Sequence, residues 1–74
     1  MPVQSILFDK KLWSQKDAEK WLKQHKYKIS YYGKKVHITK NKLRYRQTKP
    51  KKEYRYRTIN IGNGIEFIIY LNSN

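Results

Sequence analysis

The hydrophobic pattern changes period along the chain. Val3 to Phe8 forms a short apolar segment. After Trp13-Ser14 the apolar spacing becomes three and four. Ala18, Trp21, Leu22 and His25 then define one narrow stripe, with Lys16, Glu19, Lys20 and Lys23 on the opposite side. That periodicity predicts a helix of about three turns. Ser14 supplies its N-cap and Asp17 an acid in its first turn, where the helix dipole favours negative charge.

Beyond His25 the signals are extended. Ile29 to Tyr32, Val36 to Thr39 and Leu43 to Gln47 are short β-branched or aromatic stretches, interrupted by Gly33 and by a turn candidate at Lys40-Asn41. Pro50 closes the third of them. Tyr54 to Ile61 and Ile65 to Leu71 flank Gly62-Asn63-Gly64, residues that readily take positive φ, so the two segments are expected to form a hairpin. In the last segment Ile65, Phe67, Ile69 and Leu71 share one face, while Ile68 and Tyr70 make the other apolar as well. One helix does not readily cover both faces. The strand is therefore expected either to lie centrally, with the helix above and the N-terminal segment below, or to meet a second copy, which favours a homodimer through this apolar C-terminal strand. The fold class expected is α+β, with one helix packed on a small, mainly antiparallel sheet of about four to five short strands.

The chain of 74 residues is read as a single domain, 1–74, with a thin core. Its aromatic content of 15% is too high for a disordered basic tail. There is no cysteine, so disulfides and thiolate metal sites are excluded. No stretch reads as a signal peptide or a membrane span: the longest apolar run, Phe67 to Leu71, is far short of the roughly 20 residues a spanning helix needs. No membrane partner is expected and the location expected is intracellular.

Charge changes the picture most. Eighteen basic residues against five acidic ones give a formal net charge of +13, a self-repulsion that an anionic partner would relieve. Between Lys34 and Arg57 eleven Lys and Arg surround the single acid Glu53, threaded with Tyr45, Tyr54 and Tyr56. Alternation on a strand places Arg44 and Arg46 on one face and Leu43, Tyr45 and Gln47 on the other; in the next basic segment Arg55 and Arg57 oppose Tyr54, Tyr56 and Thr58. If the two strands pair, four guanidiniums gather on one patch, with donors matched to phosphate oxygens. Lys40, Lys42, Lys49, Lys51 and Lys52 support them, the last three in a cationic loop. The plain alternative is solvated charge that discourages edge aggregation. The lack of accompanying acids argues against it. The tyrosines have two uses: stacking on unpaired bases, or the commoner one at alternate strand positions, core contacts with a helix.

Catalytic chemistry has little to stand on. His25 and His37 have no cysteine or carboxylate beside them in sequence, so neither a metal nor another cofactor is expected. The serines lack a partnered base, the five acids form no pair, and Gly62-Asn63-Gly64 is a turn with no phosphate loop around it. An enzyme is not expected.

The series Trp13, Ala18, Trp21-Leu22-Lys23, His25, Leu43-Arg44-Tyr45-Arg46-Gln47, Pro50, Tyr56-Arg57-Thr58 and Ile61-Gly62-Asn63-Gly64-Ile65 resembles a small domain recurring in large DNA viruses of amoebae and algae and in tailed phages. The chain also resembles the short stand-alone form found in marseillevirus-like viruses. The resemblance implies a viral α+β module, sometimes found beside phage head-maturation proteases, with DNA binding and homodimerisation in its stand-alone form. Its Arg-aromatic-Arg-Gln and aromatic-Arg-Thr motifs fall on Arg44, Arg46, Gln47, Arg57 and Thr58. An infected cell, in the viral factory or host nucleus, or the virion would then be its setting. The basicity of this chain, Lys34, Lys35, Lys51 and Lys52 included, fits nucleic acid better than a protease accessory. The function expected is largely sequence-independent DNA binding through phosphates; the alternatives are an adaptor for an acidic viral or host protein, or an RNA or single-strand binder.

Overall fold

The computed structural model describes residues 3–30, 33, 36–48 and 55–71. Its elements run β1 (Val3–Asp9), α1 (Gln15–Gln24), β2 (His37–Ile38), β3 (Lys42–Arg46), β4 (Arg55–Gly62) and β5 (Ile65–Leu71). The strands form one sheet in the order β2-β3-β1-β5-β4, and every neighbouring pair is antiparallel. This is the expected α+β class.

The N-terminal apolar segment is the central strand. It lies within the sheet beside the last strand instead of beneath it, because a strand carrying Ile6 and Phe8 on one face and Leu7 on the other is best buried with neighbours on both edges. Ile6 faces Tyr45 and Phe67, and Phe8 faces Leu43 and Ile65, in the registers to β3 and β5. These side chains, with Ala18 and Leu22 of the helix, form the core. Phe8 is its hub, meeting Trp13, Trp21 and Tyr45 edge-on at centroid distances of 5.2, 5.7 and 5.7 Å. Edge-to-face contacts suit the ring quadrupoles and add about 0.5–1.5 kcal/mol each to simple burial.

The helix begins where its cap predicts: the backbone N–H of Asp17 donates to Ser14 Oγ at 3.1 Å. It ends on His25, whose ring stacks on Trp21 at 3.9 Å, and on Lys26 at φ 63°. Tyr27 N–H donates to Leu22 O and Lys26 N–H to Lys23 O, the paired bonds of a Schellman turn in which a lysine holds the left-handed position glycine normally takes. Gln47 then fastens the chain leaving the helix. Its side chain accepts from Lys28 N–H at 2.7 Å and donates to Lys28 O at 2.8 Å, substituting for a strand partner.

The β4–β5 hairpin forms as expected on Asn63 and Gly64, with φ of 56° and 75°. A Cβ at residue 64 would lie 2.8 Å from Leu12 Cδ1 and 3.0 Å from Asp9 Cβ, so only glycine permits the close approach. Trp13 Nε1 donates to Asn63 O at 2.6 Å and holds the turn against the start of the helix. Two extended expectations shrink. Ile29 packs against the core without joining a strand, and Val36 to Thr39 reduces to the two-residue β2. Tyr31, Tyr32 and Tyr54 lie outside the described residues.

Candidate nucleic-acid interface

The expected pairing of the two Arg-bearing strands does not occur. Strands β1 and β5 stand between β3 and β4. The registers also set the two strands in opposite phase. Tyr45 lies opposite Ile6, so Arg44 and Arg46 are on the open face, away from the helix; Arg57 lies opposite Ile69 and Arg55 opposite Leu71, on the helix side of an edge strand. The four guanidiniums therefore belong to two sites on opposite faces. The physical reason is burial: the apolar segments Val3–Asp9 and Ile65–Leu71 take the two inner positions and so keep β3 and β4 from pairing directly.

What the fold does assemble is a stripe along one strand. Lys42, Arg44 and Arg46 alternate on the open face of β3, spanning about 14 Å at the usual rise of a strand. His37 of β2 stands opposite Arg44 and adds an exposed imidazole at the sheet edge. At the Lys42 end, Lys40 meets Lys10 and Lys11 around a shallow hollow that Asp9 and Asn41 complete. The tight β2–β3 turn positions this end: Thr39 N–H donates to Lys42 O and Lys42 N–H to Thr39 Oγ1, while Lys10 N–H and Nζ donate to Asn41 O and Thr39 O. Lys10 and Lys11 are functional candidates that sequence reasoning passed over. Some thirty residues separate them from Lys40 and Lys42, and only the antiparallel register of β1 with β3, Asp9 opposite Lys42, joins them.

The members of the stripe differ in their surroundings. Arg46 is exposed. Arg44 is half-buried, its Nε donating to Ser5 Oγ at 3.2 Å and an Nη to Gln4 Oε1 at 3.1 Å. A bulge in β1 at Gln4 turns these two polar side chains towards it, and Ser5 Oγ in turn donates to Gln4 Oε1 at 2.5 Å. Burial first, then repulsion from Arg46, lowers the Arg44 pKa from its ordinary value, yet a guanidinium remains charged in water at any physiological pH. Lys42 Nζ lies 2.6 Å from Glu66 Oε1, a bond that raises its pKa, with the Glu66 and Asp9 charges adding to it against some loss of hydration. Arg44 is thereby a fixed donor and Arg46 an adaptable one.

Across the same face, β5 and β4 contribute Ile68, Tyr70, Thr58 and Tyr56. Tyr56 and Tyr70 lie side by side, ring centroids 5.3 Å apart, and the Tyr70 hydroxyl bonds Thr48 Oγ1. Tyr45, by contrast, is wholly buried and donates its hydroxyl to Glu19 Oε2 at 3.3 Å. Strand β5 has a strand on each edge and its Ile65 and Ile69 are buried in this chain, which leaves Ile68 and Tyr70 on the open face and the exposed Leu71 at its end as the apolar surface a homodimer through it would use. Lys49, Lys51 and Lys52 lie outside the described residues. Among the described residues no group of three or more His, Asp or Glu is placed to hold a metal ion, and no helix is long and apolar enough to cross a membrane.

The motif residues behind the viral resemblance divide in the same way. Trp13, Trp21, Tyr45, Gln47 and Gly64 build and fasten the fold, whereas Arg44 and Arg46 face outward. Comparison with protein-family models, with curated proteins and with solved structures finds no match to this chain.

Proposed function

We propose that this chain is a nucleic-acid-binding module that grips phosphates without reading sequence, through the β3 stripe on the open face of its sheet. The observation that carries the reading is the alignment of Lys42, Arg44 and Arg46 on one face, continued by Lys40, Lys10 and Lys11, in a chain of net charge +13. Phosphate recognition needs charge and donors at a surface, and both are present there. Arg55 and Arg57 on the far side of β4 add to the long-range field that draws a polyanion in. The resemblance to stand-alone viral modules points to DNA as the partner and to a large DNA virus as the setting.

The test is a titration of labelled DNA against salt. Each phosphate contact contributes close to one unit to the slope of log affinity against log salt, so the stripe predicts a slope of about three to five. A flat response overturns the proposal. Binding that survives salt high enough to release DNA, directed at an acidic protein, would establish the adaptor reading in its place. Light scattering at the same concentrations, with and without DNA, reports whether copies associate and whether DNA competes with that association.

A further inference from the structure

The open face is chemically two-sided. Cations line β3, while two and three strands away, about 10 and 14 Å at normal strand spacing, Tyr70 of β5 and Tyr56 of β4 form an aromatic shelf. Half-buried Leu7 and Ile68 lie between them. Both sides converge at one end of the sheet: Arg46 shares a cross-strand row with Ser5, Ile68 and Thr58, and the tyrosine pair sits one step beyond that row. Among the described residues no second layer packs on this face, and Tyr56 is 37% exposed.

A duplex presents phosphates outward and keeps its bases stacked, so it gains from the cations and nothing from the rings. A single strand presents both. With its backbone along β3, its bases can lie across Leu7 and Ile68 and reach an aromatic face, the arrangement by which sheet surfaces hold unpaired bases. We infer that the preferred ligand of the open face is single-stranded nucleic acid, its phosphates on the β3 cations and a base stacked on Tyr56. This rests on the nucleic-acid reading above and specifies its substrate class.

Anisotropy titrations with a labelled oligothymidylate, the matching oligouridylate and a duplex of the same length test it. Wild-type protein is expected to hold the single strands more tightly than the duplex at equal salt. Tyr56→Ala is expected to weaken single-strand binding by about fivefold or more and duplex binding by less than about twofold, with Tyr56→Phe retaining the wild-type value because stacking needs the ring and not the hydroxyl. Circular dichroism and thermal melting verify that each variant is folded, and Tyr56→Leu, which keeps the side-chain bulk but removes the ring and is expected to lose single-strand affinity as the alanine variant does, carries the test should the alanine variant fail to fold. Equal loss on single strand and duplex, no loss on either, or a wild-type preference for duplex overturns the inference while leaving the phosphate-binding reading in place. Loss of salt-dependent binding altogether overturns that reading instead. The thymidylate and uridylate arms separate DNA from RNA as the source of the strand.

Discussion

The same triplet, Arg-Tyr-Arg, occurs at residues 44–46 and at 55–57, and the fold uses the two copies in opposite senses. In β3 the tyrosine is sealed in the core and the arginines face outward on the open side; in β4 the tyrosine stands on the open side and the arginines point to the helix side. The contrast comes from neighbours. β3 pairs with the central strand, so whichever of its faces meets Ile6 and Phe8 must be apolar, and Tyr45 fills that place with its hydroxyl satisfied by Glu19. β4 is an edge strand, where charge is tolerated on either face and also hinders pairing with another chain. A motif read as one binding signature therefore divides into a packing element and a surface element. Strand alternation fixes which residues go together; only burial fixes which way they go.

The comparison breaks most visibly at the tyrosines. Tyr45→Ala removes a wholly buried ring from among Phe8, Ile6 and Leu43 and is expected to cost about 3–5 kcal/mol, most of the stability of a domain this small, whereas Tyr56→Ala should cost about 1 kcal/mol or less. Urea denaturation of both variants measures the difference, and equal losses would show that β3 and β4 are not placed as described. Gln47→Ala comes next. It leaves Lys28 N–H and C=O without their side-chain partner, and a loss of about 1–3 kcal/mol in the same assay is expected.

The arginines are compared by charge-matched double variants. Lys40→Ala with Arg46→Ala should reduce the salt slope of DNA binding by about two units, while Arg55→Ala with Arg57→Ala should change it by less than half as much. Equal reductions would relocate the interface to both faces of the sheet. A subtler distinction is alkaline stability. Burial, then the neighbouring Glu19 charge and the hydrogen bond to it, raises the Tyr45 pKa, so the folded state keeps a proton that the unfolded chain releases near pH 10. Stability is intact below that pH and falls as pH rises above it towards the folded value; Tyr45→Phe should flatten the decline in thermal melts between pH 9 and about 11. The smallest effect lies off both triplets. Lys26→Gly relieves the left-handed backbone at the end of the helix and is expected to stabilise by about 0.5–1 kcal/mol without altering the salt slope, since Lys26 follows the helix, away from the open face.

Local rules carried much of the fold. The helix with its Ser14 cap, the Lys40-Asn41 turn and the Gly62-Asn63-Gly64 hairpin all rest on short-range signals, namely spacing, capping and positive φ, and each is found where those signals place it. The candidate site was legible residue by residue but not as an assembly. Arg44 and Arg46 share a face because alternation along one strand is a local property, and the chain could be read that far; Lys42 joins them because the strand starts one residue before the Leu43 its apolar pattern marked. The companionship of Lys10 and Lys11 with Lys40, the separation of Arg44 from Arg57 and the meeting of Tyr56 with Tyr70 depend on strand order.

By itself, then, the sequence determined the element types, the charge and the two faces of each strand, because these follow from bonds and contacts within a few residues. The tertiary structure alone decided which strands are neighbours and which face of each meets the core. Those choices are set by competition among distant apolar segments for the inner positions of the sheet, and Val3–Asp9, the segment least marked by any motif, took the centre, where neighbours on both edges bury Ile6 and Phe8 completely against the helix.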